Sequence, residues 1–129
     1  MKVKNAERPP MGETKIRFLK WTRMETPCPK CGLMCKRHSV GHRKLHEIGI
    51  HNPVELEITY SKHYCPSCRK IFCIAMDSLA APSARYTNRV RKLARHLVLD
   101  KEMALSAAAQ VMEKKYHVYI PISSLYEWL

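Results

Sequence analysis

The spacing of apolar residues divides the chain into a strand-rich part and a helical part. Apolar and polar positions alternate with the period of two that is typical of a strand with one wet face, at Val54, Leu56, Ile58 and Tyr60. Residues 70–76 carry β-branched and aromatic side chains and predict a second strand, and the basic segment 36–48, which alternates poorly, predicts a third. Three antiparallel strands are therefore expected between Cys28 and Met76.

A helical period replaces this alternation after a break at residues 77–83. The apolar residues of the first predicted helix recur on one face, at Tyr86, Val90, Leu93, Ala94, Leu97 and Val98. Asp100 is a suitable N-cap for a second helix from Lys101 to about Lys115, and Pro121 fits the first turn of a third. Three helices in this order predict a helix-turn-helix unit with Leu125 facing its core.

Two CxxC pairs supply the candidate chemistry, Cys28 with Cys31 and Cys65 with Cys68. Four thiolates presented by two tight turns can surround one Zn²⁺ ion tetrahedrally, with each sulfur about 2.3 Å from the metal. A single CxxC would also fit a redox thiol pair, but two pairs that flank a strand favour bound metal. The fold class expected is therefore α+β: a small three-stranded antiparallel zinc ribbon followed by a three-helix helix-turn-helix unit.

The remaining cysteines and several histidines leave alternatives open. Cys35 and Cys73 are interpreted as structural thiols, because a free cysteine in an apolar run usually acts as a small hydrophobe. An alternative metal site replaces one of the four paired cysteines with Cys35 or with a histidine, chosen from His38, His42 and His46.

Three segments follow from these elements. Residues 1–25 are expected to form a basic N-terminal arm that is partly disordered, residues 26–78 the zinc ribbon, and residues 79–129 the helix-turn-helix unit. Within the arm, residues 16–21 are apolar enough to pack onto the ribbon. The third helix stops at Leu129 without a C-cap, which predicts that it is truncated there.

The charge of the chain points to a polyanionic partner. It carries 23 Lys and Arg against 11 Asp and Glu, a formal net charge of +12 at pH 7. Double-stranded DNA is the usual partner of a compact, basic zinc protein. The cations of the first predicted helix have almost no acidic residue four positions away, so Arg85, Arg89 and Lys92 are expected to contact phosphates.

No signal peptide and no apolar run long enough to span a membrane is found in the sequence. A cytoplasmic, nucleoid-associated location without a membrane partner is therefore expected. The sequence leaves both a monomer and a homodimer open.

Five stretches in a fixed order suggest a family. They are a CPxCG knuckle at 28–32, a basic stretch at 42–45, a strand ending at 64–66, the linker LAAPSARYT at 79–87, and the terminal SSLYEWL. This order resembles the N-terminal zinc-ribbon and helix-turn-helix region of prokaryotic insertion-sequence transposases, whose DDE catalytic domain lies further along the chain. The second pair departs from the family in being a bare CxxC, where relatives often have a longer spacing.

The resemblance implies recognition of the terminal inverted repeats of a mobile element. It assigns the zinc ligands to Cys28, Cys31, Cys65 and Cys68, and the basic β segment adds Arg43 and Lys44 as candidate DNA contacts. The resemblance assigns the recognition of base pairs to the helix that begins near Pro121. We expect that helix to enter the major groove and to contact bases through Ser123, Ser124 and Tyr126.

Catalysis is not expected of these residues. A two-metal phosphoryl-transfer centre needs several converging acidic groups, and the two aspartates, Asp77 and Asp100, are explained as part of a linker and as a helix cap. Three other functions remain as alternatives: a stand-alone DNA-binding regulator, a zinc-ribbon adaptor that binds protein, and a CxxC thiol oxidoreductase. The last is disfavoured because no helix follows either pair to lower a thiol pKa.

Overall fold

A computed structural model describes residues 13–129, so the first part of the predicted N-terminal arm lies outside the described residues. The strands are β1 (Lys15–Trp21), β2 (Glu25–Pro27), β3 (Met34–Glu47), β4 (Val54–Cys65) and β5 (Lys70–Cys73). The helices are α1 (Asn88–Leu99), α2 (Leu105–Tyr116) and α3 (Ile122–Glu127). None of these helices is long and apolar enough to cross a membrane.

The five strands form one mixed sheet, in the order β1-β4-β3-β2, with β5 paired to the end of β4. Strands β3 and β4 are antiparallel along most of their length, whereas β1 lies parallel to β4. The predicted fold class is therefore wrong. A sheet of five strands dominates the molecule and carries three short helices, in place of a small three-stranded ribbon followed by a helix-turn-helix unit.

The difference comes from β1 and β2, which were not among the three predicted strands and which extend the sheet on either side of the β3–β4 pair. The strand predicted over residues 36–48 is present as β3. It alternates poorly in the sequence because its inward positions include Gly41, Arg43 and Glu47 as well as the apolar Leu45. The cross-strand register sets Leu45 opposite Leu56 on the buried face.

One buried cluster lies on the inner face of this sheet. It consists of residues from β3, β4 and the segment after β5, namely Leu45, Leu56, Ile58, Ile74, Met76 and Ala80. Strand β1 contributes Leu19 and Trp21 at its border. The indole Nε1–H of Trp21 donates to the carbonyl of Ala75 at 2.9 Å, which ties the end of β1 to the chain beyond β5.

The helices enclose a second cluster. Its buried members are Val90, Ala94, Leu97, Ala108, Met112, Val118, Ile120 and Leu125. The predicted N-cap role of Asp100 is wrong: this residue is the C-cap of α1, and its carboxylate lies 2.7 Å from Nδ1 of His96. Helix α2 consequently begins later than predicted, at Leu105.

A buried polar contact joins the sheet to the helices. Thr87 is the N-cap of α1, and its Oγ1 accepts from the backbone N–H of Val90 at 3.3 Å. The same hydroxyl donates to Oε1 of Glu47 at 2.8 Å, and that oxygen also accepts from the backbone N–H of Ile48. Since Glu47 ends β3, one carboxylate fixes where α1 starts relative to the sheet.

Replacing Thr87 with Val tests this junction. The substitution keeps the shape of the side chain but removes both the cap and the bond to Glu47. We expect the free energy of unfolding to fall by about 2 kcal/mol. Urea denaturation of the metal-loaded chain measures it, with the exposed Thr14→Val as the matched control; equal stability of the two variants would contradict the role assigned to Thr87.

Candidate metal centre and basic helix face

Two tight turns carry the four paired cysteines. In the first, between β2 and β3, the N–H of Gly32 donates to the carbonyl of Cys28 at 2.9 Å, and Gly32 has a φ of +79°. In the second, between β4 and β5, the N–H of Arg69 donates to the carbonyl of Cys65 at 2.7 Å, and Arg69 has a φ of +58°. The two turns share one geometry, although glycine supplies the left-handed position in only the first.

The sulfur atoms of these turns converge on one point. All four lie within 4.8 Å of one another, with 3.8 Å between Cys28 and Cys68 and 3.5 Å between Cys31 and Cys65. Four thiolates at about 2.3 Å from a tetrahedral ion lie about 3.8 Å apart, so the spacing fits a metal. The predicted group of four cysteines is thus brought together and could hold a metal ion.

Backbone amides favour thiolates in this cluster. The N–H of Cys68 lies 3.3 Å from the sulfur of Cys65, and this bond is the main reason that the pKa of Cys65 is lowered to about 6. Amides of Cys31 and Lys30 lower the pKa of Cys28 in the same way. Hydrogen bonding to the Cys31 and Cys28 sulfurs instead raises the pKa of Cys68 to about 12. A bound cation would relieve this competition by stabilising every thiolate at once.

The alternative ligands lie outside this cluster. Cys35 is buried beside it, but its thiol donates to the carbonyl of Leu33 at 3.1 Å, and burial is the main cause that raises its pKa to about 11. No histidine joins the group that could hold a metal within residues 13–129. Cys73, expected in an apolar run, is exposed at the end of β5.

A buried histidine supports the cluster and was not predicted. His63 is fully buried, its Nδ1 lies 3.0 Å from the carbonyl of Cys35, and its Nε2 lies 2.8 Å from Oγ of Ser61. Because a carbonyl only accepts, Nδ1 donates and Nε2 accepts from the Ser61 hydroxyl. The ring also stacks on Phe72 at 5.7 Å. In the sequence, Ser61, His63 and Cys65 alternate along one face of β4, and this alternation could have indicated that His63 is buried on the same face as Cys65.

The predicted phosphate contacts lie on an exposed face of α1 and its approach. Arg85, Arg89 and Lys92 are all exposed. Arg89 has a partner that the sequence did not indicate, because its Nη1 lies 3.6 Å from Oε2 of Glu47, although its side chain stays 71% exposed. A groove of about 560 Å³ runs along this face and is lined by Ile48, Arg89, Lys92, Leu93, Arg95, His96, Leu99 and Asp100.

The other candidate DNA contacts fall in two places. The guanidinium of Arg43 donates to the carbonyls of Ala81 and Ala84, so this side chain fastens the linker to the sheet. Lys44 is exposed on the opposite face of the sheet, across from Glu57 in the register.

Helix α3 holds the remaining candidates beside the start of α1. Ser123 and Tyr126 are exposed there, while Ser124 is half-buried. Ser124 lines a cleft of about 250 Å³ together with Arg85 and Arg91. Two candidates that lie almost forty residues apart in the sequence, Arg85 and Ser124, therefore meet in one cleft.

The chain was compared with protein-family models, with curated proteins and with solved structures, and none of them matches it. The fold, the residues of the site and the sequence motifs are therefore the basis for the function proposed below.

Replacing Cys65 with Ser tests the metal centre. We expect about one metal ion per chain in the unchanged protein. The variant should lose that ion, and the β-sheet signal in its circular dichroism spectrum should fall. Elemental analysis of protein purified without chelator measures the ion. The exposed Cys73→Ser is the matched control and should keep it; equal metal content in the two variants, or none in the unchanged chain, would rule the site out.

Proposed function

We propose that the chain is a double-stranded DNA-binding module with one structural zinc ion. Four cysteine thiolates form a complete tetrahedral shell, which leaves no open position for a reacting water. Soft thiolate ligands in this geometry favour zinc over magnesium or calcium. We infer that the ion closes the end of the sheet and takes no part in chemistry.

The basic face of α1 is the observation that carries the DNA-binding proposal. The exposed cations from Arg85 to Arg95 number five: Arg85, Arg89, Arg91, Lys92 and Arg95. Of these five side chains, only Arg89 has a carboxylate oxygen of a described residue within 4 Å. Uncompensated cations repel one another, and a row of phosphates removes this repulsion while releasing counterions.

The same face has features suited to a groove of DNA. Leu93 and Ile48 give the groove along α1 an apolar floor beneath its cationic rim. Helix α3 adds the half-buried Ser124 in one cleft with Arg85, and it carries Ser123 and Tyr126 exposed on the same short helix. We infer that cations position the duplex and that hydroxyls near them contact base edges.

The target we propose is the terminal inverted repeat of an insertion sequence. The support for this target is the order of the two CxxC pairs, the LAAPSARYT linker and the terminal SSLYEWL, which resembles transposase N-terminal regions. The chain would then recognise the ends of the element and leave strand transfer to a catalytic domain.

Removing one cation of α1 and one from the segment just before it tests the phosphate contacts. Arg85→Ala combined with Lys92→Ala should lower the slope of log K against log salt by about 1.8, which is 0.9 for each phosphate that is no longer neutralised. Arg89 is left in place because its removal would also break the ion pair with Glu47, a residue that holds the start of α1. Binding to duplex DNA is measured by fluorescence anisotropy over a salt series.

The matched control removes two exposed cations from α2, Lys114→Ala combined with Lys115→Ala. It changes net charge equally, so its slope should stay close to that of the unchanged chain. If the slope falls equally in both double variants, the attraction is a property of total charge and the assignment to α1 is wrong.

Substitutions in α3 test base readout. We expect Ser123→Ala and Tyr126→Phe each to relax the preference at particular base positions, with a cost of about 1–3 kcal/mol for the preferred base. Selection from randomised duplexes measures the preference. A uniform loss of affinity with an unchanged preference would show that α3 positions the protein and that specificity originates elsewhere.

A further inference from the structure

Strand β1 forms an open edge of the sheet. It pairs with β4 along residues 54–60, and within residues 13–129 no strand pairs with its other side. The N–H of Lys15 donates to the carbonyl of Pro53 at 2.8 Å, and this bond determines which residues of β1 direct their backbone groups toward β4. Since alternate residues of a parallel strand face the same neighbour, the backbone groups of Ile16, Phe18 and Lys20 point away from β4.

The side chains at these positions shield the edge only in part. Phe18 is 77% exposed and Ile16 is 47% exposed, both on the outer face of the sheet. Proteins usually shield an open edge with short strands, prolines, bulges or charged side chains; β1 is a regular seven-residue strand without proline or bulge, and its only such devices are Lys15, Arg17 and Lys20. Within residues 13–129, the edge therefore combines unpaired backbone groups with an apolar surface.

We propose that this edge pairs with the same edge of a second copy of the chain. The two β1 strands run antiparallel about a two-fold axis at Phe18. Phe18 then exchanges both backbone hydrogen bonds with its counterpart, and Ile16 exchanges both with Lys20 of the second copy. Six main-chain hydrogen bonds form, and the two exposed phenyl rings lie directly opposite each other.

The charges of β1 select this register. Each cation faces an apolar residue of the second copy: Lys15 faces Trp21, Arg17 faces Leu19, and Lys20 faces Ile16. A shift by two residues in one direction would set Arg17 against Arg17. A shift in the other direction would leave only residues 17–21 of each strand paired, because β1 ends at Trp21. The register centred on Phe18 is thus the one in which all seven residues pair and no residue faces a like charge.

The neighbouring strand adds complementary charge. Glu55 lies beside Ile16 in the register of β4 and β1, and it points to the outer face. In the proposed pair, Lys20 of the second copy lies on the far side of Ile16, in the same row. Lysine and glutamate side chains that lean across Ile16 can meet, and two-fold symmetry repeats the contact.

Sedimentation equilibrium of the full chain tests the assembly. We expect the mass to rise with concentration from 15.0 kDa to twice that value. Phe18→Pro removes an N–H that points away from β4, so it should abolish the dimer while circular dichroism and metal content stay unchanged. Phe18→Thr should weaken the dimer about tenfold, whereas Met24→Thr, which removes a comparably exposed apolar side chain, should not.

A charge exchange provides a test that does not depend on Phe18. Lys20→Glu and Glu55→Lys should each weaken the dimer about tenfold, and the two together should restore it to within about threefold of the unchanged chain. A chain that stays at 15.0 kDa at all concentrations overturns the proposal. So does a dimer that persists in Phe18→Pro, or a double exchange without recovery.

Discussion

The register of β3 against β4 is the constraint on which both ends of the molecule depend. Pairing runs from Glu47 with Val54 at one end to Arg37 with His63 at the other, with one irregularity between Arg37 and Ser39. A slip by one residue would turn every side chain of a strand to the opposite face. It would separate Cys35 and His63 beneath the sulfur cluster and carry Glu47 away from the start of α1.

Polar groups inside the sheet make this register specific. Arg43 fastens the linker, Glu47 caps α1 through Thr87, and His63 joins Ser61 to the carbonyl of Cys35. Each of these groups would lose its partners in a shifted register, and an unpaired buried polar group costs more than a made hydrogen bond contributes. A slip by one residue would also expose Leu45 and Leu56, so the apolar face and the polar groups specify the register together.

The same polar residues limit what the sequence could predict. The sulfur cluster was predictable because CxxC spacing is a local property of a turn, and β4 was predictable because its apolar residues alternate. The strand over residues 36–48 was predicted in spite of its poor alternation, but the inward roles of Arg43 and Glu47 were not, because their partners lie about forty residues away. The parallel pairing of β1 with β4 was missed because it is non-local and leaves no pattern within residues 15–21.

The distance between the two ends limits how a metal held by the four cysteines could act on the basic face. Strand β4 runs from Val54, beside the helices, to Cys65 in the cluster, which is roughly 35 Å at 3.3 Å per residue. That distance is several times the Debye length of about 8 Å at physiological salt, so the charge of the centre is screened from α1. Any effect of a bound metal on the proposed DNA contacts must therefore pass through the β3–β4 ladder.

The proposed dimer would separate the two basic faces. Strand β1 lies beside the helix half of β4, and antiparallel pairing of two β1 strands would send the basic faces to opposite ends of the joined sheet. Such an arrangement suits two separated DNA sites better than one continuous site.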